Sequence, residues 1–516
     1  MATLYLFGIG GSGSRIIRSL TMLLAAGVKL GHGFNKVVPF VIDPDAANAD
    51  KRRTIRLLET YQAIRREIAE KSTEQKGPGE GQFFGTEIVT LGVNADGQPN
   101  PAINNSYEFA FTDMELQLRD WLGQNTLPAE SRALVDLLFD PASLSESLEV
   151  GFKGSPNVGS IVLNQLKNAP ELQHFAARFQ PGDRIFFATS IFGGTGAAGF
   201  PILLKNMRTS PSVFAGAGER LTQAKIGALT LLPYFKLEPS EESAIDSSLF
   251  NTKTKAALSY YEQGLKSPNG QHQLNALYYL GDRSTHLTRN SEGGATQRND
   301  AHFVELIGAL AVVNFTQLTE EELQRNDNFF EFSAEDEAQM TFSSLDASQT
   351  LSQVGGPLAR FQFLSMWLAH HFEDTQSADY AKFTGASRAW NQSVFFKELR
   401  RFLYDFDLDR PGNVGERPQD GGFVAWLREL ARNSRSFSPF NIDQNDFDKF
   451  ITGHELKKGF LNTDQIGRKH VRAKLDAAIR QQVADNDGPR VFLKAFHDTS
   501  QELLSKEHSR ALPWLN

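Results

Sequence analysis

Two glycine-rich segments contain the residues with the plainest chemical use. The first is Gly8-Ile9-Gly10-Gly11-Ser12-Gly13, and the second is Gly193-Gly194-Thr195-Gly196-Ala197-Ala198-Gly199. Glycine lets a backbone approach an anion closely, and a helix N-terminus adds unpaired N–H groups and a favourable dipole. Each segment therefore reads as a phosphate cradle if a strand precedes it and a helix follows. Neither ends in the Gly-Lys-Ser/Thr of a P-loop. The first fits the G-x-G-x-x-G of dinucleotide-binding turns. Its acidic ribose partner would be Asp43, which stands 43 − 13 = 30 residues past Gly13, whereas about 20 is usual. Taken alone, the first loop points to a phosphate without naming the nucleotide, with a ligand-free glycine turn as the lesser alternative; a second cradle at the end of another strand favours a polyphosphate.

The flanking segments supply the elements these loops need. Thr3–Phe7 is an apolar strand, followed after the glycines by a helix that Gly27 stops, and Val37–Ile42 is a second strand ending at Asp43-Pro44-Asp45. Strand, turn, helix, strand opens a parallel α/β sheet. Further strands are expected at Arg184–Thr189, Ile226–Leu232 and Leu277–Leu280. Helices are expected at 51–71, 113–123, 241–264 and 300–317, and one through Phe179. The stretch from about 50 to 150 reads as an insertion. Beyond residue 330 helical patterns dominate, at 360–372, 393–406, 423–432 and 465–484, with 410–422 as the clearest linker.

Composition narrows the function classes. The 516 residues include 53 basic and 61 acidic side chains, a net charge of −8, which gives no basic footprint for nucleic acid. Cysteine is absent, which removes disulfides, thiolate catalysis and zinc–thiolate sites. Forty phenylalanines can furnish a large core. The start MATLYLFGIGG has no basic region ahead of its broken apolar run, and no apolar run reaches membrane length. A cytoplasmic protein without membrane insertion is expected.

With both loops in view, the chain resembles the tubulin/FtsZ superfamily, whose signature is GGGTG(S/T)G; here Phe192 replaces its first glycine. Other segments match in order. GIGGSGS resembles the first FtsZ-type loop and FVIDPD the end of the second strand. Gly154-Ser155-Pro156-Asn157-Val158-Gly159 resembles GxNPxxG with Asn and Pro exchanged. GALTLLPYFKLEP resembles the ribose-side loop, LYYLGDRS the segment with FtsZ's Ile-Pro-Asn-Asp, and NDAHFVELIGALA the start of the central helix. Within the superfamily the chain resembles divergent bacterial tubulin-like proteins more than FtsZ or eukaryotic tubulin.

The resemblance implies an α/β, Rossmann-like GTPase-type domain over residues 1–318, with the insertion at about 50–150, and a mainly helical C-terminal domain over 319–516. It implies that Gly10, Gly11, Ser12 and Gly13 hold the α/β phosphates of GTP or GDP, and Gly193, Gly194, Thr195 and Gly196 the β/γ end. Gly154, Ser155 and Asn157 would meet the terminal phosphate. Asp43 and Asp45 would hold Mg2+ directly or through water; a plain strand-ending turn is the alternative. Asp282 falls near the sugar or base, or is an ordinary turn aspartate. Ala301 stands where the family has a base-contacting Asn, for which Asn299 is the nearest substitute, and His302 is expected as a packed core histidine. In the family, acidic residues after the central helix complete hydrolysis on the next subunit, and Asp327 and Glu331 are the candidates here, or members of a solvated acidic loop.

Three functions follow. The first is a GTP-binding NTPase that self-associates head to tail into filaments. The second is a nucleotide-gated scaffold with little hydrolysis, which recruits other proteins through its helical half. The third is a Rossmann-type NAD(P)-dependent oxidoreductase, against which stand the second cradle and the lack of a hydride-transfer site.

Overall fold

The structure is a computed structural model that describes residues 2–70, 77–94, 98–149, 151–152, 155–214, 219–238, 250–266, 273–282, 287–288, 293–325, 328–332, 339–370, 393–404, 422–458, 461, 463–481 and 488–515. Seven strands of the described residues form one all-parallel sheet. They are β1 (Ala2–Ile9), β2 (Phe34–Ile42), β3 (Glu87–Ile88), β4 (Arg184–Ser190), β5 (Lys225–Leu231), β6 (Ala276–Leu280) and β7 (Phe329–Phe332). Their spatial order is β3-β2-β1-β4-β5-β6-β7. The five strands expected from sequence are all present. The two edge strands are additions: β3 arises inside the 50–150 stretch, and β7 inside the acidic stretch after residue 318.

The central strands are buried on both faces, as a parallel sheet covered by helices requires. Alternation along β1 assigns Leu4 and Leu6 to one core and Tyr5, Phe7 and Ile9 to the other. On the first face lie α1 (Gly10–Ala25), α2 (Ala49–Glu70) and the central helix α5 (Phe303–Gln317). On the second lie α3 (Pro156–Val162) and α4 (Gly194–Arg208). Phenylalanine fills both layers: Phe7 packs edge-on against Phe40 and Phe175, and Phe361 against Phe84 and Phe402.

The helical half does not stand apart. Helices α6 (Ser352–His370), α7 (Phe423–Arg432) and α8 (Gly488–Glu507) share the apolar core of α1, α2 and α5. The fold is thus a parallel α/β sheet with helices on both faces, followed by a mainly helical C-terminal portion.

Local differences from the sequence reading have local causes. The helix expected over 113–123 is a single turn at Leu118–Trp121, in a segment bounded by the left-handed residues Asp113 (φ +60°) and Gly123 (φ +61°). The helix of 241–264 is seen from Phe250 to Gly264, its first part lying outside the described residues. The linker 410–421 also lies outside them. Among the described residues no helix is long and apolar enough to cross a membrane.

Candidate functional site

In this strand order the chain leaves β1 for β2 on one side, and the sheet continues through β4 on the other. The carboxyl ends of β1 and β4 therefore flank a topological switch point, where crossovers diverge and a crevice must open. Both glycine loops lie there. Gly10 opens α1 with φ +72°, a conformation that glycine adopts without strain. A side chain on Gly10 would place its Cβ 3.5 Å from Thr195 Cβ and 3.6 Å from Gly196 N. Two loops 185 residues apart in sequence (195 − 10 = 185) are thus in contact.

The glycines divide by what a Cβ would meet. At Gly13 it would lie 2.6 Å from Ala188 O, and at Gly196 2.6 Å from both Ser190 O and Thr189 Oγ1; these two let helices pack onto strand ends. At Gly11 the nearest atoms are Arg15 Nη1 at 3.6 Å and Asn48 Nδ2 at 3.8 Å, and at Gly193 it is Ser190 Oγ at 3.3 Å. Gly11 has room for a side chain and carries none, whereas at Gly193 a Cβ would fit only if Ser190 Oγ shifted; both leave backbone N–H groups approachable.

The helix starts are also left uncapped. Ile9 before α1, Gly193 before α4 and Ser155 before α3 make no side-chain capping bond, and none of these first turns contains an acidic residue. The same chain caps helices elsewhere: His302 and Glu305 form a reciprocal capping box at α5, as Thr319 and Glu322 do at residues 320–324. Orphan N–H groups of α1 and α4 therefore face one crevice with their dipoles uncompensated, a setting that favours an anion. Helix α3 packs on the first turn of α4, since a Cβ on Gly159 would lie 3.0 Å from Ala198 Cβ and 3.1 Å from Gly194 O. Asn157 is exposed on α3 and Ser155 half-buried, while Gly154 lies outside the described residues.

Asp43 and Asp45 follow β2 beside this crevice. Asp45 spends both carboxylate oxygens on backbone donors, Ala47 N at 3.0 Å and Gly294 N at 2.6 Å. Asp43 Oδ1 accepts from Asp45 N at 3.1 Å. Burial pushes the Asp43 carboxyl up to about 7 against the opposing pull of Lys51, whose Nζ donates to Asp43 O at 3.1 Å and pairs with Glu108 at 3.0 Å. Among the described residues no three His, Asp or Glu side chains converge as a metal site. The donor set fits a Mg2+ held mainly by phosphates and water, with Asp43 as its carboxylate contact.

A pH dependence follows. A folded pKa above the unfolded value means that stability is greatest with the proton on and declines as pH rises from about 4 to about 7. In EDTA and without nucleotide, Asp43→Asn is expected to match the parent near pH 4 and to melt several degrees higher at pH 8. Parallel melting curves across that range would remove this assignment.

Beneath the first turn of α1 lies a buried ionic network. Arg15 donates to Glu305 at 2.5 Å, to Asp50 at 3.0 Å and to the Tyr234 hydroxyl at 2.7 Å. Arg53 joins Asp50 at 2.6 Å to Glu429 at 3.0 Å, and Arg18 reaches Glu429 at 2.6 and 3.2 Å. Burial alone would raise the carboxyls of Asp50 and Glu429; Arg53 and Arg15 hold the first down, and Arg18 and Arg53 the second. Three cations balance three carboxylates. Asn299 belongs here, donating its backbone N and Nδ2 to Asp50, and Ala301 N donates to Glu429. Order along the chain points to Asn299 as a base contact and gives no role to Arg15, Arg18, Asp50, Arg53 or Glu429. The available signal was two arginines three residues apart in the otherwise apolar helix RIIRSLTMLLA.

The remaining candidates sit elsewhere. Asp282, just past β6, is buried against Arg435 at 2.5 Å, so the helical half closes that side. His302 is buried, and its Nδ1 accepts from Val304 N as the cap of α5. Asp327 lies outside the described residues. Asn328 precedes β7 at the amino edge of the sheet and spends Nδ2 on the carbonyls of Glu322, Arg325 and Asn275. Glu331 is exposed on the edge strand opposite Tyr279. Edge strand β7 is three places from β4, or about 14 Å at ordinary strand spacing. Glu331 is not brought to the glycine loops of its own chain.

No protein-family model matches the chain, and no curated protein matches it. Among solved structures it is similar to CetZ2 from Haloferax volcanii, a GTPγS-bound protofilament, at 14% identity, with 62% of this chain and 60% of that one covered and a TM-score of 0.28. It is also similar to CetZ1 from Haloferax volcanii, a GDP-bound monomer, at 13% identity, 63% and 63% coverage and a TM-score of 0.28. For CetZ from Methanosaeta thermophila the identity is 12%, the coverage 55% and 46%, and the TM-score 0.21. The match spans less than two thirds of each of these chains.

Proposed function

We propose that the chain binds a guanine nucleotide, GTP or GDP with Mg2+, in the crevice between the α1 and α4 N-termini. The observation that carries this reading is the contact of Gly10 with Thr195 and Gly196 at the switch point, where two uncapped helix starts face one space. Gly10, Gly11, Ser12 and Gly13 take the α/β phosphates, and Gly193, Gly194, Thr195 and Gly196 the β/γ end. Ser155 before α3 and Asn157 on it are assigned to the terminal phosphate, with Gly154 next to Ser155 in sequence as a further candidate, and Asp43 to the metal. Mg2+ neutralises charge on the phosphates when bound; the chain's own part is to orient them through backbone N–H groups. Guanine follows from the sequence resemblance. Asp45, Asp282 and Asn299 keep a supporting role, since each already holds a partner within the chain. The nucleotide-binding unit is residues 1–318 together with β7.

Hydrolysis in this reading needs a second copy. Asn328, which follows Asp327 in sequence, lies at the amino edge of the sheet, opposite the glycine loops, whereas Glu331 pairs with Tyr279 toward the carboxyl end of the outermost strand. Head-to-tail stacking places one copy's amino edge over the next copy's crevice. GTP turnover per chain is therefore expected to rise steeply with protein concentration, and Asp327→Ala to slow it with GTP affinity retained; Glu331→Ala, toward the other end of its strand, is expected to act more weakly. Turnover independent of concentration would refute the intersubunit site.

A second reading, the nucleotide-gated scaffold, has its own support. Arg18 ties α1, whose first turn would hold phosphate, to Glu429 of α7. A nucleotide that shifts α1 acts directly on the helical half, whether or not it is hydrolysed.

A further inference from the structure

Opposite the glycine loops, a cavity of about 820 Å3 opens at the amino edge of the sheet. Lys29 comes from the α1–β2 connection, Gln317 from the end of α5, Arg360 from α6, His497 and Gln501 from α8, and Trp514 from the C-terminal stretch. Helix α1, with 16 residues, separates this cavity from the glycine loops by about 24 Å.

Arg360 is the unusual member. Arg15, Arg18 and Arg53 hold carboxylates, and Arg208 donates to the carbonyls of Gln273, Thr222 and Ala224. Arg360 has no carboxylate partner among the described residues, its Nε is buried without a hydrogen-bond partner, and burial pushes its guanidinium down to about 10. His497 is buried with Nε2 also unpartnered; its ring packs edge-on against Phe83, and Nδ1 meets Asp498 at 3.2 Å. The surrounding chain makes room for this side chain. A Cβ on Gly356 would crowd Arg360 Nη1 at 3.2 Å, and one on Gly355 would collide with the Trp514 ring. Arg360 is half-buried and faces the cavity, so its charge is partly withdrawn from water without a counter-charge, a state that a bound anion relieves. Glu80, on the same rim, is exposed.

We propose that this cavity is a second ligand site, in which Arg360 receives the phosphate or carboxylate group of a small anionic ligand. The planar guanidinium offers paired N–H donors to such a group. His497 Nε2 and Lys29 flank it, and the Trp514 ring forms an apolar wall. The site is independent of the nucleotide reading, being at the other edge of the sheet and built from other residues.

The test uses the full chain carrying Gly11→Asp, so that the glycine loops do not compete for anions. Inorganic phosphate and succinate are titrated separately by calorimetry at fixed ionic strength. At least one is expected to bind, and which one does identifies the head group. Arg360→Met is expected to weaken that binding at least tenfold and to raise the anion-free melting temperature slightly, because an unpaired, half-buried charge is gone. His497→Gln, a milder change, is expected to weaken binding severalfold. Failure of both anions to bind up to tens of millimolar overturns the proposal. So does unchanged affinity in Arg360→Met or, should that variant not fold, in His497→Gln. A lower melting temperature in Arg360→Met with anion binding intact would make Arg360 a structural cation only.

Discussion

Gly11→Asp is expected to abolish guanine-nucleotide retention while leaving the nucleotide-free protein at least as stable as the parent. The two halves of this result have separate causes. Position 11 has space for a side chain, with its nearest neighbours, Arg15 Nη1 and Asn48 Nδ2, both beyond 3.5 Å, and its φ is not left-handed. A carboxylate in the first turn of α1 meets the positive end of the helix dipole, a gain of about 0.3–1 kcal/mol. That same carboxylate occupies and charges the space reserved for a phosphate, so affinity should fall by at least a hundredfold. Loss of binding alone would also follow from damage to the fold; loss of binding with preserved or raised stability points to the crevice itself. A variant that binds GTP as the parent does would show that α1 is not part of the phosphate site. Gly193→Ala, at the second loop, should act in the same direction more weakly, since its Cβ would meet only Ser190 Oγ.

The second large effect concerns Glu429. Replacing it by Ala leaves Arg18 and Arg53 buried with one carboxylate fewer, and removes the acceptor for Ala301 N. Breaking a buried pair on one side costs about 3–5 kcal/mol, so denaturant unfolding should move sharply toward lower concentration. The double variant Glu429→Met with Arg18→Met is expected to recover much of that loss, because Arg53 keeps Asp50 and no isolated charge remains on α1. A small effect in the single variant, or an additive one in the double, would show that the network does not act as a unit. The same experiment bears on the scaffold reading: if nucleotide binding weakens in the double variant while stability returns, α1 and α7 are energetically coupled.

Much of the fold was legible because the physics that forms it is local. Apolar runs, three of them closing directly on glycine or proline, gave the five central strands, and strong helical periodicity gave the 423–432 helix to the residue. The edge strands were hidden for opposite reasons. Strand β3 is only Glu87–Ile88, too short for a pattern, and β7 sits in an acidic stretch that reads as a loop until Tyr278 stacks on Phe330. Helix α8 follows a glycine–proline pair and is not among the expected helices, although Phe492, Phe496 and Leu503 belong to the apolar core.

The candidate site was legible in its glycines and not in its charges. Gly10, Gly13 and Gly196 are fixed by local backbone geometry and close approach, which sequence encodes directly. The pairs Arg18–Glu429 and Asp282–Arg435 join residues 411 and 153 positions apart, and the helical half that supplies their partners follows no shared loop pattern. Asn299 and Asp282 read as ligand contacts because they stand in the right order along the chain. Packing instead gives both of them partners within the protein.

The central claim is that the crevice between α1 and α4 holds a guanine nucleotide. Mass identification of the nucleotide released on denaturing the purified full-length chain tests it most directly. GDP or GTP approaching one per chain in the parent, and none in Gly11→Asp, is the expected result. An adenine or nicotinamide dinucleotide in its place, or no nucleotide together with no binding of added Mg2+–GTP, would contradict the account.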